Sequence, residues 1–312
     1  MTVQTNNRRL RHAPPDPRVR RIVLTDADYL LFEVLERHGP LPSSYLYEFT
    51  RHLRKDRTYL QNRLTEFYNG DAQGGLLVRP PQQFAAYEAR YQHLVYDLTT
   101  RARHLLAERR TYRPHAIVRS DPFVHRLMCA CIGATFELTA AANGMRYISF
   151  EEILSRSGRQ SPSKGNPLAL PCPGNQTFIP DLLFGLEYPG AGYRFFTVES
   201  DRNTESIERR NLRQSAFGRK LTAYAAALDA RSYRLAWGVP NLHVLTVTTN
   251  AVHSDNILQF VRDNVAPQHH AYFAVTLTTT FGTDWRVPKE PLSHLLLSPW
   301  RTAAGVRDLS RA

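Results

Sequence analysis

Asp181, Glu199, Asp201 and Lys220 are the residues of this chain whose types and spacing can do chemistry together. Asp181 sits inside the apolar run Phe178-Ile179-Pro180-Asp181-Leu182-Leu183-Phe184-Gly185-Leu186, and Glu199 closes a second such run that begins at Tyr193. Carboxylates in strand-like apolar segments are costly unless something compensates their charge. The segment between the runs, Tyr188-Pro189-Gly190-Ala191-Gly192, reads as a turn. With Gly190 as its midpoint, Asp181 and Glu199 are equally far from the turn and face each other in an unbulged hairpin. Directly opposed like charges destabilise a strand pair, and a divalent cation between them reverses that sign. Asp201, two residues beyond Glu199, projects from the same face. Magnesium prefers oxygen ligands and keeps several waters. Held here beside a phosphodiester, it can activate water and offset charge on the leaving oxygen. Lys220 lies on the following helical segment, one turn before Tyr224, and can stabilise a pentavalent phosphate or orient the nucleophile. The competing reading makes the three acids strand-end charges paired with Arg202, Arg209 or Arg210.

The elements that must position this set follow from hydrophobic period. From Asp121 onward the pattern is helix, strand, hairpin, helix, strand, helix, strand. A helix near 122–143 carries Phe123, Leu127, Ile132, Phe136 and Leu138. The hairpin spans 177–200. A helix from about Glu205 to Ala230 carries Leu212, Phe217, Leu221, Tyr224 and Leu228. Leu242–Thr248 reads as a buried strand, Ser254 as the cap of a helix with Ile257, Phe260 and Val261, and Tyr272–Thr278 as another strand. This order predicts a mixed α/β layer over residues 120–305.

Residues 23–112 read as a smaller unit. Thr25, with Asp28 three residues on, predicts a helix start, followed by Ala27, Leu30, Leu31, Val34 and Leu35 in helical period. Pro42-Ser43 opens a second helix with Leu46, Phe49 and Leu53, and Lys55-Asp56 a third with the stripe Leu60, Leu64 and Phe67. The opposite face of the third helix presents Arg57, Thr58, Gln61, Asn62 and Thr65, side chains able to bond base edges and phosphates in a major groove. Strands are expected at Gly75–Arg79 and Gln92–Tyr96, then a helix capped by Thr99. Three helices and a two-stranded ribbon make a winged helix-turn-helix, and a helical protein-binding domain is the alternative. Arg54 and Lys55, with Arg79 on the first strand and Arg90 in the connection, complete the candidate DNA contacts.

The bulk numbers agree with a nucleic-acid partner. There are 40 Lys+Arg against 28 Asp+Glu, a formal net charge of +12, which suits a polyanion. Residues 1–22 are rich in arginine, contain Pro14-Pro15-Asp16-Pro17 and read as a basic mobile arm. Cys129, Cys131 and Cys172 have no zinc-site or disulfide spacing. No segment is long and apolar enough to span a bilayer and no secretory signal is visible, so a cytoplasmic location is the expectation. No phosphate-cradling Gly-x-x-x-x-Gly-Lys-Ser/Thr loop occurs. His269-His270 are adjacent, and no His-hydrophobe-His cluster of the kind tyrosine relaxases use is present. The three tryptophans read as packing residues.

The phrase Phe196-Thr197-Val198-Glu199-Ser200-Asp201-Arg202-Asn203-Thr204-Glu205, followed by Lys220-Leu221-Thr222-Ala223-Tyr224, is similar to the replication-relaxation family. Pro180-Asp181 with Glu199-Ser200-Asp201 and Lys220 resembles a variant of the PD-(D/E)XK nuclease core, in which Asp201 stands at the usual lysine position. The resemblance covers roughly residues 25–300. It implies a restriction-endonuclease-like mixed sheet behind a winged helix, as in the MOB-C class of plasmid relaxases. Further implications are an origin-like double-stranded DNA site, strand nicking with Mg2+ or Mn2+, contact with the nicked single strand, and work beside other mobilisation or replication proteins. If Lys220 does not replace the missing lysine, the same fold is an inactive DNA-binding regulator or replication accessory protein. A third reading is a protein-interaction subunit of a mobilisation complex.

Overall fold

Thr25 and Asp28 begin the first helix as their spacing predicts. In the computed structural model the Asp28 carboxylate accepts from the Thr25 amide and hydroxyl, both at 2.8 Å, at the head of α1 (Asp26–His38). The structure describes residues 14–17, 21–84, 92–109, 122–157, 166–172, 176–202 and 216–311. Most of the basic arm, Arg90, and the stretch from Asn203 to Ser215 lie outside them. The chain divides into two units, one of Met1–Arg113, Asp121–Ala134 and Arg286–Pro291, the other of Pro114–Ser120, Thr135–Trp285 and Leu292–Ala312.

In the first unit, β1 (Leu41–Pro42) and α2 (Ser43–Thr50) follow α1, then α3 (Arg57–Asn69). Asp56 caps α3 by accepting from the Tyr59 amide at 2.7 Å. Gly70 ends it with φ of 75°, where a Cβ would collide with the Gly74 carbonyl. Leu60, Leu64 and Phe67 are the buried residues of α3, the expected stripe. β2 (Leu77–Val78) and β3 (Val95–Leu98) complete an antiparallel sheet of order β1-β3-β2. The Thr99 hydroxyl caps α4 (Thr100–Arg109) by accepting from the Ala102 amide at 3.2 Å. This is the element order of a winged helix-turn-helix. Its strand β1 escapes sequence reading, since two residues, one of them proline, carry no period.

The second unit holds a seven-stranded mixed sheet of order β12-β11-β10-β9-β8-β7-β4. In chain order, α5 (Phe123–Ala142) contributes its residues from Thr135 on. It is followed by β4 (Arg146–Ile148), α6 (Phe150–Arg156), a small hairpin of β5 (Leu170–Cys172) and β6 (Gln176–Phe178), then β7 (Leu182–Tyr188) and β8 (Gly192–Asp201). Next come α7 (Ala216–Ala230), α8 (Ser232–Trp237), β9 (His243–Thr248), α9 (Ala251–Asn264) and β10 (Phe273–Leu277). The unit ends with α10 (His294–Leu297), β11 (Trp300–Thr302) and β12 (Gly305–Arg307). The strands β8, β9 and β10 are parallel, and the rest of the sheet is antiparallel.

Alternation sorts the two faces. Leu183, Phe195, Val244, Phe273 and Val275 share a core with Leu221 and Tyr224 of α7 and Ile257 and Val261 of α9. On the other face Phe184 packs on Phe136 of α5 at 4.7 Å and on Phe196 at 5.3 Å. Sheet order and the two helical layers together make the fold mixed α/β. One helix start needs correction: Ser254 lies inside α9, and Asn250 caps it by accepting from the His253 amide at 3.0 Å. An asparagine side chain caps at least as well as serine, and Asn250 comes first.

Candidate functional site

The β7–β8 hairpin keeps the expected register without a bulge, from Tyr188↔Gly192 at the turn to Leu182↔Val198. Asp181 is the next residue, one step past the last pair. There its carboxylate takes over from the ladder and accepts from the Ser200 amide at 2.7 Å. Glu199 is flanked on its other side by Thr246 of β9.

Glu199 is buried, 1% exposed, and both its oxygens are held. Lys220 Nζ donates to Oε2 at 2.5 Å and Tyr224 OH donates to Oε1 at 2.6 Å. Lys220 and Tyr224 are one helical turn apart on α7, so one face of that helix delivers both. Burial disfavours the carboxylate's charge and the nearby Asp181 carboxylate repels it, while Lys220 and Tyr224 favour it. The first two effects win, and the Glu199 pKa rises from 4.5 to about 7. Burial also pushes the Tyr224 phenol well up, and Glu199 adds to it, so Tyr224 remains a proton donor to Glu199.

Asp201 has a different neighbourhood. Its Oδ2 accepts from the Thr248 hydroxyl at 3.0 Å and lies 2.9 Å from His253 Nε2 on the first turn of α9. Among the four residues expected to act together, the structure joins Asp181, Glu199 and Lys220, and ties Asp201 to β9 and α9. Arg202, expected in the competing reading to neutralise the acids, donates from Nε to the Phe281 carbonyl at 3.0 Å. Sequence reading assigned Tyr224 to the apolar stripe only. Its spacing from Lys220 was the available signal. His253 and Thr248 gave none.

Asp181 and Glu199 suit a hard divalent ion by donor type, two carboxylates brought together at one end of the hairpin. The Lys220 ammonium adds one positive charge to that pair.

On the winged unit, Lys55, Arg57, Thr58, Gln61, Asn62 and Thr65 are exposed along and ahead of α3. Arg57 lies over the Tyr47 ring at 5.0 Å and 3.9 Å from Glu48. One expected contact is corrected. Arg54 is buried, its guanidinium 2.8 Å from the buried Asp28, because Asp28 needs a counter-charge once α1 covers it. Arg79 is half-buried over Tyr68 at 4.0 Å and donates to the Tyr96 hydroxyl at 3.2 Å and to the hydroxyl of Thr65 on the exposed face of α3 at 3.3 Å. Gln61 and Thr65 also line a hollow of about 300 Å³ with Ser43, Gln92, His93 and Tyr96.

The fold and its sites define a class: proteins that join a winged helix-turn-helix to a mixed α/β layer carrying paired carboxylates and a lysine. The chain belongs to the replication-relaxation family, whose profile matches residues 32–234, more than half of its length. The matched span contains α3, Asp181, Glu199 and Lys220. Membership ties the protein to replication or relaxation and, at that level, to DNA. No curated protein and no solved structure matches the chain. Among the described residues, no helix is long and apolar enough to cross a membrane.

Proposed function

We propose that this protein is a metal-dependent, site-specific DNA nicking endonuclease of the relaxase type, which starts transfer or replication of a plasmid or other mobile element. The observation that carries the reading is the meeting of Asp181, Glu199 and Lys220 at the open end of the β7–β8 hairpin. The winged unit finds an origin-like duplex through Arg57, Gln61 and Asn62, with Lys55 and Thr58 available to phosphates.

Asp181 and Glu199 hold Mg2+ or Mn2+. When bound, the ion supplies Lewis-acid activation of water and charge compensation at the scissile phosphate. Lys220 keeps a positive charge beside Glu199 and helps orient the phosphate. Tyr224 fixes the Glu199 carboxylate by donating to Oε1. Asp201 anchors α9 to the sheet end through His253.

The test is relaxation of a supercoiled plasmid carrying the cognate origin, with Mg2+ or Mn2+. Wild type nicks one strand, and Asp181→Ala and Lys220→Met do not, while their duplex affinity is kept. Origin binding without relaxation under any divalent ion overturns the nuclease reading.

A second reading is a DNA-binding regulator or replication accessory protein without catalysis. It is favoured by Asp201, which occupies the usual lysine position and is bonded to Thr248 and His253. Under it, Asp181→Ala leaves every function intact and divalent ions change nothing.

A further inference from the structure

Arg194, Arg307 and Arg311 gather at the end of the central sheet away from Glu199. Arg194 precedes Glu199 by five residues on β8, about 17 Å at roughly 3.3 Å per residue. An odd separation also places it on the opposite face. Arg194 and Arg307 line two adjoining hollows in the second unit, of about 440 Å³ and about 330 Å³. Arg311 joins them in the smaller, and Tyr193, Gln268 and Tyr272 in the larger.

Arg194 and Arg307 are held from behind by uncharged acceptors. Arg307 Nη1 donates to the Ala271 carbonyl at 2.7 Å and meets His243 Nδ1 at 2.8 Å. Burial, with Arg307 and Arg194 nearby, drives the His243 pKa down to about 3, so the imidazole is neutral and its Nδ1 lone pair accepts. Arg194 Nη1 donates to the Arg311 carbonyl at 2.8 Å. Among the described residues no carboxylate lies within ion-pair distance of Arg194 or Arg307. Asp308 is engaged by Arg311 at 3.3 Å and by Ser310. Arg307 is partly desolvated and repelled by Arg194, and both effects lower its pKa. Two guanidiniums clustered in this way invite an anion.

An aromatic ring says which anion. Tyr193, next to Arg194 in the chain, projects from the other face of β8, its hydroxyl donating to Glu187 at 3.2 Å. Tyr272 lines the hollow and stacks on His243 with centroids 5.1 Å apart. A basic hollow with a tyrosine ring is a combination that takes phosphates and bases of an unpaired strand.

We infer that this end of the sheet is a second nucleic-acid site, which binds phosphodiesters of a single DNA strand through Arg194, Arg307 and Arg311. The choice of DNA rests on the proposed function, but the site does not include the cleavage residues.

The test is fluorescence anisotropy of a labelled oligothymidine with the full chain, in EDTA, over a salt series. Without metal no cutting occurs, so the outcome is independent of whether the protein nicks. The double variant Arg194→Gln, Arg311→Gln leaves the Arg307–His243 contact in place. It is expected to lose about tenfold in affinity, with a salt slope lower by roughly 1.4 for two lost phosphate contacts. Arg307→Gln is expected to lose as much, with its folding checked by thermal melting. Unchanged affinity and slope in the double variant overturn the proposal. So does orthophosphate that displaces the oligothymidine completely at equal phosphate concentration, since the site would then be one for free phosphate.

Discussion

Glu199 is where function and stability pull against each other. A buried carboxylate near Asp181 binds its proton more tightly in the folded protein than in the unfolded chain. Between pH 4.5 and about 7 the folded state therefore carries more protons, and stability falls as pH rises through that window. Above it the cost is constant, up to about 3 kcal/mol for a shift of this size. Glu199→Gln has no charge to bury. It is expected to melt higher than wild type at pH 8 and close to wild type at pH 5, with nicking lost at both. Mg2+ should raise the wild-type melting temperature at pH 8 and leave Glu199→Gln unmoved. A variant that melts lower than wild type at pH 8 would mean that the bonds from Lys220 and Tyr224 outweigh the charge. Tyr224→Phe tests the positioning bond. It keeps the ring against Phe178, at 4.3 Å, and removes the donor to Oε1. The expected result is weaker Mg2+ binding, with about tenfold more metal required for nicking and duplex affinity unchanged.

At the scale of elements, the α1–α3 junction is held by a buried ion cluster. Asp28 lies 2.8 Å from Arg54 and 2.7 Å from Arg63, and Arg63 also donates to Glu66 at 2.6 Å. Burial alone would raise the Asp28 pKa, but Arg63, Arg54 and Thr25 overcome it and the pKa is lowered. The contribution is thus present above the unfolded carboxylate pKa and is lost as pH falls through the lower folded value. Asp28→Ala leaves Arg54 buried without its counter-charge and should destabilise the winged unit by about 3–5 kcal/mol, measured by urea unfolding at pH 7. The same cluster shows what sequence reading can and cannot reach. Helix periods, the cap at Thr25 and the hairpin register were legible, because they depend on residues close in the chain. Arg54 read as a DNA contact because its partner, twenty-six residues earlier, is brought to it only by packing. Asp201 reads as a companion of Glu199 by strand alternation, and its bonds to Thr248 of β9 and His253 of α9 come only with the folded sheet. The short strands β1, β4, β11 and β12, of two or three residues each, are too brief to show a period.

For the whole molecule, a net charge of +12 provides general attraction to DNA, so selectivity has to come from where particular groups stand. Under the proposed function, duplex recognition falls to the exposed face of α3 in one unit and cleavage to the carboxylate–lysine site on the sheet of the other. Lesions in the two should then have separable signatures. Arg57→Ala with Gln61→Ala removes one phosphate-capable cation and one base reader without touching Leu60, Leu64 or Phe67. Its affinity for the cognate duplex is expected to fall about tenfold to a hundredfold, at roughly 1–3 kcal/mol per base reader, and its salt slope by about 0.9. Once enough protein is added to saturate the plasmid, its nicking rate should equal that of wild type. Asp181→Asn should do the reverse, with binding and salt slope unchanged and nicking absent at every protein concentration. Filter binding and plasmid relaxation on the same samples decide the matter. If the α3 variant nicks slowly even at saturation, recognition and cleavage are coupled, and α3 contributes to more than occupancy of the site.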